Sequence, residues 1–132
     1  MNLIRPGCVF LDRDSIDCND LDLSQLSELT DITLFQTSNS EEIISKAAQA
    51  DIIISNKVKL GAEHFAQLPR LKLICVIATG MNNIDIDAAE KYGIQVCNVK
   101  DYAAASVSQH VFMLILALSS SFLSYQKDIK KG

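Results

Sequence analysis

The stretch from 71 to 87, L-K-L-I-C-V-I-A-T-G-M-N-N-I-D-I-D, constrains this chain more than any other. Residues 71–77 carry a single charge, Lys72, and Ile74, Val76 and Ile77 are β-branched. A short apolar run of that kind, closed by a glycine, predicts a strand buried on both faces of a parallel sheet. At its carboxyl end, Ala78-Thr79-Gly80 lets the chain turn with little side-chain bulk. Ligands of open α/β sheets sit just outside the carboxyl ends of strands, so Thr79 and Gly80 are the first candidates for a site. An ordinary strand-to-loop turn is the plainer alternative.

The rest of the chain reads as units of the same kind around that central strand. Residues 8–11 form an apolar run ending in Asp12, the first strand. Leu21, Leu23, Leu26 and Leu29 recur at helical spacing, with Asp22, Gln25 and Glu28 on the opposite face. A second strand spans 32–35. Residues 37–40 then supply capping oxygens, and Glu41 and Glu42 bring negative charge to the first turn of a helix. Its buried stripe is Ile43, Ile44, Ala47 and Ala48. A third strand covers 51–55, and a short helix over 62–68 stops before Pro69. After strand 71–77, a helix over 87–91 closes at Gly93, and the last strand spans 94–97. Five alternations with short links predict an α/β fold: a flavodoxin-like parallel five-stranded sheet in the order 2-1-3-4-5, with helices on both faces. From Ala103 to about Tyr125 the pattern becomes one long helix. Ser106, Val107, His110, Val111, Leu114, Ala117, Leu118 and Ser121 share a face, and Phe112, Ile115 and Leu116 make the remainder apolar. A helix so apolar all round requires burial on several sides.

Several words in this sequence resemble one family. Ala-Thr-Gly-x-Asn-Asn-Ile-Asp (78–85), Ala88-Ala89-Glu90, residues 92–99, Asp101-Tyr102, residues 106–112 and Ser55-Asn56-Lys57-Val58 stand in the order and spacing of the D-isomer-specific 2-hydroxyacid dehydrogenases. The nearest likeness is to the glycerate dehydrogenase/hydroxypyruvate reductase group. The resemblance implies that backbone amides of the loops carrying Lys57 and Val58, and Thr79 and Gly80, hold the carboxylate of a small 2-hydroxy or 2-oxo acid. It implies that Thr79 also touches the cofactor, NAD as NADH or NADPH. An anion suits such loops, because amide donors bury no charge and Gly80 permits close approach.

The resemblance further implies a substrate-binding domain over 1–99. Residues 100–132 would then be a linker and the first helix of a nucleotide-binding Rossmann domain. The long interdomain helix is expected near a twofold homodimer contact. The dinucleotide fingerprint is absent: glycines stand only at 7, 61, 80, 93 and 132, so no G-x-G-x-x-G can form. The family's catalytic Arg, Glu and His have no match either. No catalytic residue is therefore expected in this chain, which alone is expected to be inactive and to hold no cofactor. Lys100 stands where a Pro is usual, and Ala104-Ala105 replace polar residues.

Other residues carry weaker signals. Asn82, Asn83 and Asp85 are expected to fix a turn. His110 reads as a packed, hydrogen-bonded helix residue, and His64 as a surface residue. Cys8, Cys18, Cys75 and Cys97 lack ligand spacing, so they read as small buried hydrophobes of a reduced, cytoplasmic protein, and no metal site is expected. A net charge of -4, with no basic cluster beyond the 127–131 tail, argues against nucleic acid as a partner. The most apolar run, 111–118, is far below the roughly 20 residues that cross a bilayer, so no membrane partner is expected. Residues 1–7 include Arg5 and Pro6, which argues against a secretory leader. Two rival readings remain. Phe10-Leu11-Asp12-Arg13-Asp14 is a strand followed by Asp-x-Asp, the pattern of a haloacid-dehalogenase-type phosphohydrolase with Asp12 as nucleophile and Asp14 as acid. The other rival is a non-catalytic flavodoxin-like binding or signalling module.

Overall fold

In the computed structural model, which describes residues 5–131, the chain divides into two compact units, 1–100 and 101–132. The first is a five-stranded parallel sheet: β1 (Gly7–Phe10), β2 (Asp31–Leu34), β3 (Ile52–Ser55), β4 (Leu73–Val76) and β5 (Gln95–Asn98). Their order is β2-β1-β3-β4-β5, the flavodoxin-like order that the alternation predicts. The helices between them are α1 (Ser24–Leu29), α2 (Ile43–Ala47), α3 (Ala62–Phe65) and α4 (Ile86–Lys91), with a 3-10 turn at Arg13–Ser15.

Central place belongs to β3, not to β4 as the apolar run suggested. Strand register sorts the side chains into two faces. Val9, Ile53, Ile74 and Val96 are direct partners across β1, β3, β4 and β5. They join Ile43 and Ala47 of α2, Phe65 of α3, and Ala88 and Ala89 of α4 in the main core. Ile53 and Ile74 are fully buried, and each such side chain stabilises the fold by roughly 1.5–3 kcal/mol. The opposite face is thinner. There Cys8, Phe10 and Ile54 meet only half-buried Ile16, Leu26, Ile32, Ile52, Cys75 and Ile77. Strand β4 is thus fully buried on one face and half-buried on the other, a correction to the two-sided burial inferred from its composition.

Local hydrogen bonding explains where elements fall short of their apolar patterns. The Asp17 carboxylate accepts the amides of Asp20 and Leu21, which holds a turn there, and α1 begins only at Ser24. Leu21 and Leu29 are consequently exposed, while Leu23 and Leu26 are half-buried. Ahead of α2, Asn39 and Glu42 each accept the other's amide, so the acidic pair sits in the turn rather than the helix. Ala48 is exposed, and Ala50 is buried instead.

His64 is not on the surface. It is 5% exposed, and its Nδ1 accepts the amide of Gly61, which closes the turn into α3. Asp85 caps helix α4, its carboxylate accepting the Ala88 amide, and the chain leaves the helix through Gly93, where φ of +69° suits a glycine. Of the cysteines, Cys8 is buried and Cys75 half-buried, but Cys18 and Cys97 are exposed. The expectation of four buried thiols fails because Cys97 lies on the strand at the sheet edge and Cys18 in the loop before α1.

The second unit holds α5 (Ala104–Ser119) and α6 (Phe122–Lys131), bent by 57° at a break. The single helix expected through Tyr125 is interrupted. Ser119 and Ser120 donate their hydroxyls to the Leu116 carbonyl, and Ser121 adopts φ of +54°. No residue of α5 is buried, and His110 is exposed rather than packed. Val111, Phe112, Leu114, Ile115 and Leu118 are exposed as well. Among the described residues no single helix is long and apolar enough to cross a membrane.

Candidate active site

The carboxyl ends of β1, β3 and β4 lie side by side, and the chain leaves each through a polar loop. After β1, Asp12 is only 6% exposed. Its Oδ1 and Oδ2 accept the Asn56 amide at 3.0 and 3.1 Å, and Oδ2 accepts the Lys57 amide at 2.7 Å. The next amide, Val58 N–H, donates at 3.1 Å to Oγ of Ser55, which is fully buried. The loop after β3 is therefore held by a carboxylate from the first strand and a hydroxyl of its own.

The loop after β4 is fastened to it. Asn83 Nδ2 donates to the Val58 carbonyl at 3.0 Å, the Leu60 amide donates to Asn83 at 2.9 Å, and the Asp85 amide returns to Leu60 at 2.9 Å. Asn83 and Asp85 fix the turn, as their residue types suggested. On the other side, Asn98 Nδ2 donates to the Thr79 carbonyl at 2.7 Å, and Val99 N–H to Ala78 at 3.1 Å. These bonds leave a cleft of about 300 Å³ lined by Asn56, Lys57, Ala78, Gly80, Asn82 and Asn83.

The four residues singled out in the sequence fall into two groups. Lys57 and Gly80 line the cleft, and Thr79 is exposed beside it. Val58 is half-buried and packs against the main core. The amides of Lys57 and Val58 are engaged by Asp12 and Ser55, whereas the amides of Thr79 and Gly80 find no acceptor among the described residues. Lys57 is exposed, and no carboxylate pairs with it among the described residues. Free amides and an unpaired ammonium at one cleft suit an anion. A Cβ built on Gly80 would meet only Asn82 Oδ1, at 3.7 Å, and the backbone there is not in the left-handed region. Folding does not require a glycine at 80. Asp12 and Asn98 were not sequence candidates for this site, and Asn56 entered only within the Ser55–Val58 loop; the one signal for Asp12 was an acidic residue directly following an apolar strand.

The phosphohydrolase reading does not survive this geometry. The Asp12 oxygens are turned into the loop amides, Asp14 is exposed, and no group of three His, Cys, Asp or Glu among the described residues is placed to hold a metal ion.

Comparison with known proteins agrees with the fold. The family model for the D-isomer specific 2-hydroxyacid dehydrogenase catalytic domain matches residues 9–128. The chain belongs to this family. It is 37% identical over 124 residues to the glycerate dehydrogenase of Methylorubrum extorquens, which spans 94% of this chain and 39% of that enzyme. It is 34% identical over 127 residues to the hydroxypyruvate reductase of Blautia hydrogenotrophica, with the same two shares, 94% and 39%. Among solved structures it superimposes on the D-lactate dehydrogenase of Aquifex aeolicus, complexed with NAD and lactic acid. That match has a TM-score of 0.71 and 29% identity, and covers 95% of this chain and 37% of the other. The chain thus spans well under half the length of these dehydrogenases.

The segment leading into α5 does not have the form of a dinucleotide cradle. A pyrophosphate needs a glycine-rich turn opening onto a helix amino terminus. The approach to α5 is Val99-Lys100-Asp101-Tyr102-Ala103, without glycine, and Ala103 offers no capping side chain.

Proposed function

We propose that this chain supplies the substrate-carboxylate site of a nicotinamide-dependent D-2-hydroxyacid dehydrogenase of the glycerate/hydroxypyruvate type. The observation that carries the reading is the pair of amides at Thr79 and Gly80 that find no acceptor among the described residues, on the rim of the cleft that Lys57 also lines. A small 2-oxo acid places its carboxylate against those amides, and Lys57, with no carboxylate partner among the described residues, adds positive charge. Asn56, Asn82 and Asn83 line the rest of the cleft with neutral polar groups. The Val58 contribution is to the loop's packing rather than to the anion.

Residues 1–99 form the substrate-binding domain, and residues 100–132 lead into a nucleotide-binding domain of the whole protein. That domain holds the NADH or NADPH, with Thr79 touching it at the cleft, and supplies hydride transfer and proton donation. The protein works in the cytoplasm, consistent with four free thiols. Titration of the purified chain with hydroxypyruvate tests the reading. A saturable response is expected, with none to a neutral analogue, and added NADH should keep its absorbance. Equal responses to both compounds, or oxidation of NADH by the repurified chain, would contradict it.

The whole protein is also proposed to be a homodimer through α5. Phe112 is 65% exposed, Ile115 53% and Leu118 75%, and burying several such side chains offsets the entropy lost on association. Sedimentation equilibrium at micromolar concentration should give a dimer, and Phe112→Glu with Ile115→Glu a monomer. A monomer before mutation sinks this part of the proposal.

A further inference from the structure

On the thin face of the sheet, Phe10, Ile54, Cys75 and Cys97 form one row of direct strand partners, and burial falls along it from Phe10 outward. We propose that Cys75 and Cys97 are a modification site: a thiol pair that a hydroperoxide oxidises to a disulfide joining β4 to β5 beside the Thr79–Gly80 turn. The two residues are register partners, and their sulfurs lie 3.5 Å apart, with Cys97 Sγ–H directed at Cys75 Sγ. Neighbouring strands run about 4.8 Å apart, inside the Cα separations of roughly 4.4–6.8 Å that disulfides span. Closing the bond needs side-chain rotation, not strand movement.

Exposure decides which sulfur reacts first. Cys97 is exposed and Cys75 half-buried. The Cys97 sulfur attacks a peroxide oxygen and the O–O bond breaks. Cys97 becomes a sulfenic acid and one water leaves. The Cys75 thiolate then attacks the Cys97 sulfur, the S–O bond breaks, and hydroxide leaves as a second water. Two thiols and one hydrogen peroxide thus give one disulfide and two waters. Burial, then the adjacent Cys97 and Cys8, push the Cys75 thiol up to about 12 in the reduced pair, so ring closure by its thiolate quickens as pH rises.

The consequence for the cleft rests on the proposed function. Cys97 directly precedes Asn98, whose amide holds the Thr79 carbonyl at 2.7 Å. A bridge that draws Cys97 toward Cys75 alters that hold, and with it the free amides of the turn.

The test is to expose the chain to hydrogen peroxide and read its intact mass and its non-reducing peptide map. Loss of two hydrogens and a Cys75–Cys97 linked peptide are expected, both reversed by dithiothreitol. Cys97→Ser, at an exposed position, should abolish the link, and Cys18→Ser should leave it. Oxygen added at Cys97 with Cys75 still open to alkylation, a link between two chains, or a link through Cys18 would overturn the assignment. Mass alone reads the cross-link, so its failure is distinguishable from failure of the carboxylate site.

Discussion

Gly80→Val in the full-length enzyme should raise KM for the 2-oxo acid by about 10- to 100-fold, with a smaller change in KM for the nicotinamide. A hydrogen bond to a charged group contributes roughly 1.5–3 kcal/mol, and the branched side chain keeps the carboxylate from the amides that would make it. The substitution is a clean one. A Cβ at 80 meets nothing closer than 3.7 Å, and no left-handed backbone angle has to be maintained. Stability should therefore stay near that of the wild type, which separates a binding role from a folding role. A folded Gly80→Val enzyme with unchanged KM would reduce the residue to a turn glycine.

Asp12→Ala should have the largest effect on the fold, a loss of about 3 kcal/mol, from leaving two part-buried amides without an acceptor. For a unit of this size that lowers Tm by roughly 15 °C. The carboxylate accepts from Asn56 and Lys57 while only 6% exposed, so water cannot readily replace it. Asp14→Ala, at an exposed position two residues on, should be close to neutral. Thermal and urea unfolding measure both. If Asp12→Ala lies within about 0.5 kcal/mol of wild type, the range of ordinary surface substitutions, the clamp is not what holds the loop.

The strand order and the Thr79–Gly80 turn were legible in the sequence because each depends on local pattern. Apolar runs such as 52–54 and 73–76 have no other stable use in an alternating chain, and a glycine after one of them marks a strand end. What stayed hidden depends on side chains that meet across long separations. Nothing near Asp12 reveals that its carboxylate takes amides 44 and 45 residues away, so the same residue reads as a nucleophile. For that reason the Lys57 amide looks free in the sequence and is engaged in the fold, while the Val58 amide is taken by the nearby Ser55 hydroxyl. His64 reads as a surface residue because its partner is a backbone amide, which no residue pattern encodes. The exposed Cys97 was hidden by a different cause. Its strand places Gln95 and Asn98 around Val96 and Cys97, and its position at the sheet edge separates it from Cys75.

The central claim is that the Thr79 and Gly80 amides receive the substrate carboxylate, and amide-resolved NMR of the labelled chain during a hydroxypyruvate titration tests it most directly. Saturable shifts centred on the amides of Thr79 and Gly80 are the predicted result. Those of Asn56 and Lys57 should move less, because their protons stay on Asp12. Shifts that never saturate there, or that centre instead on Arg5, Arg70 and Lys72 at the opposite ends of the strands, would contradict the account.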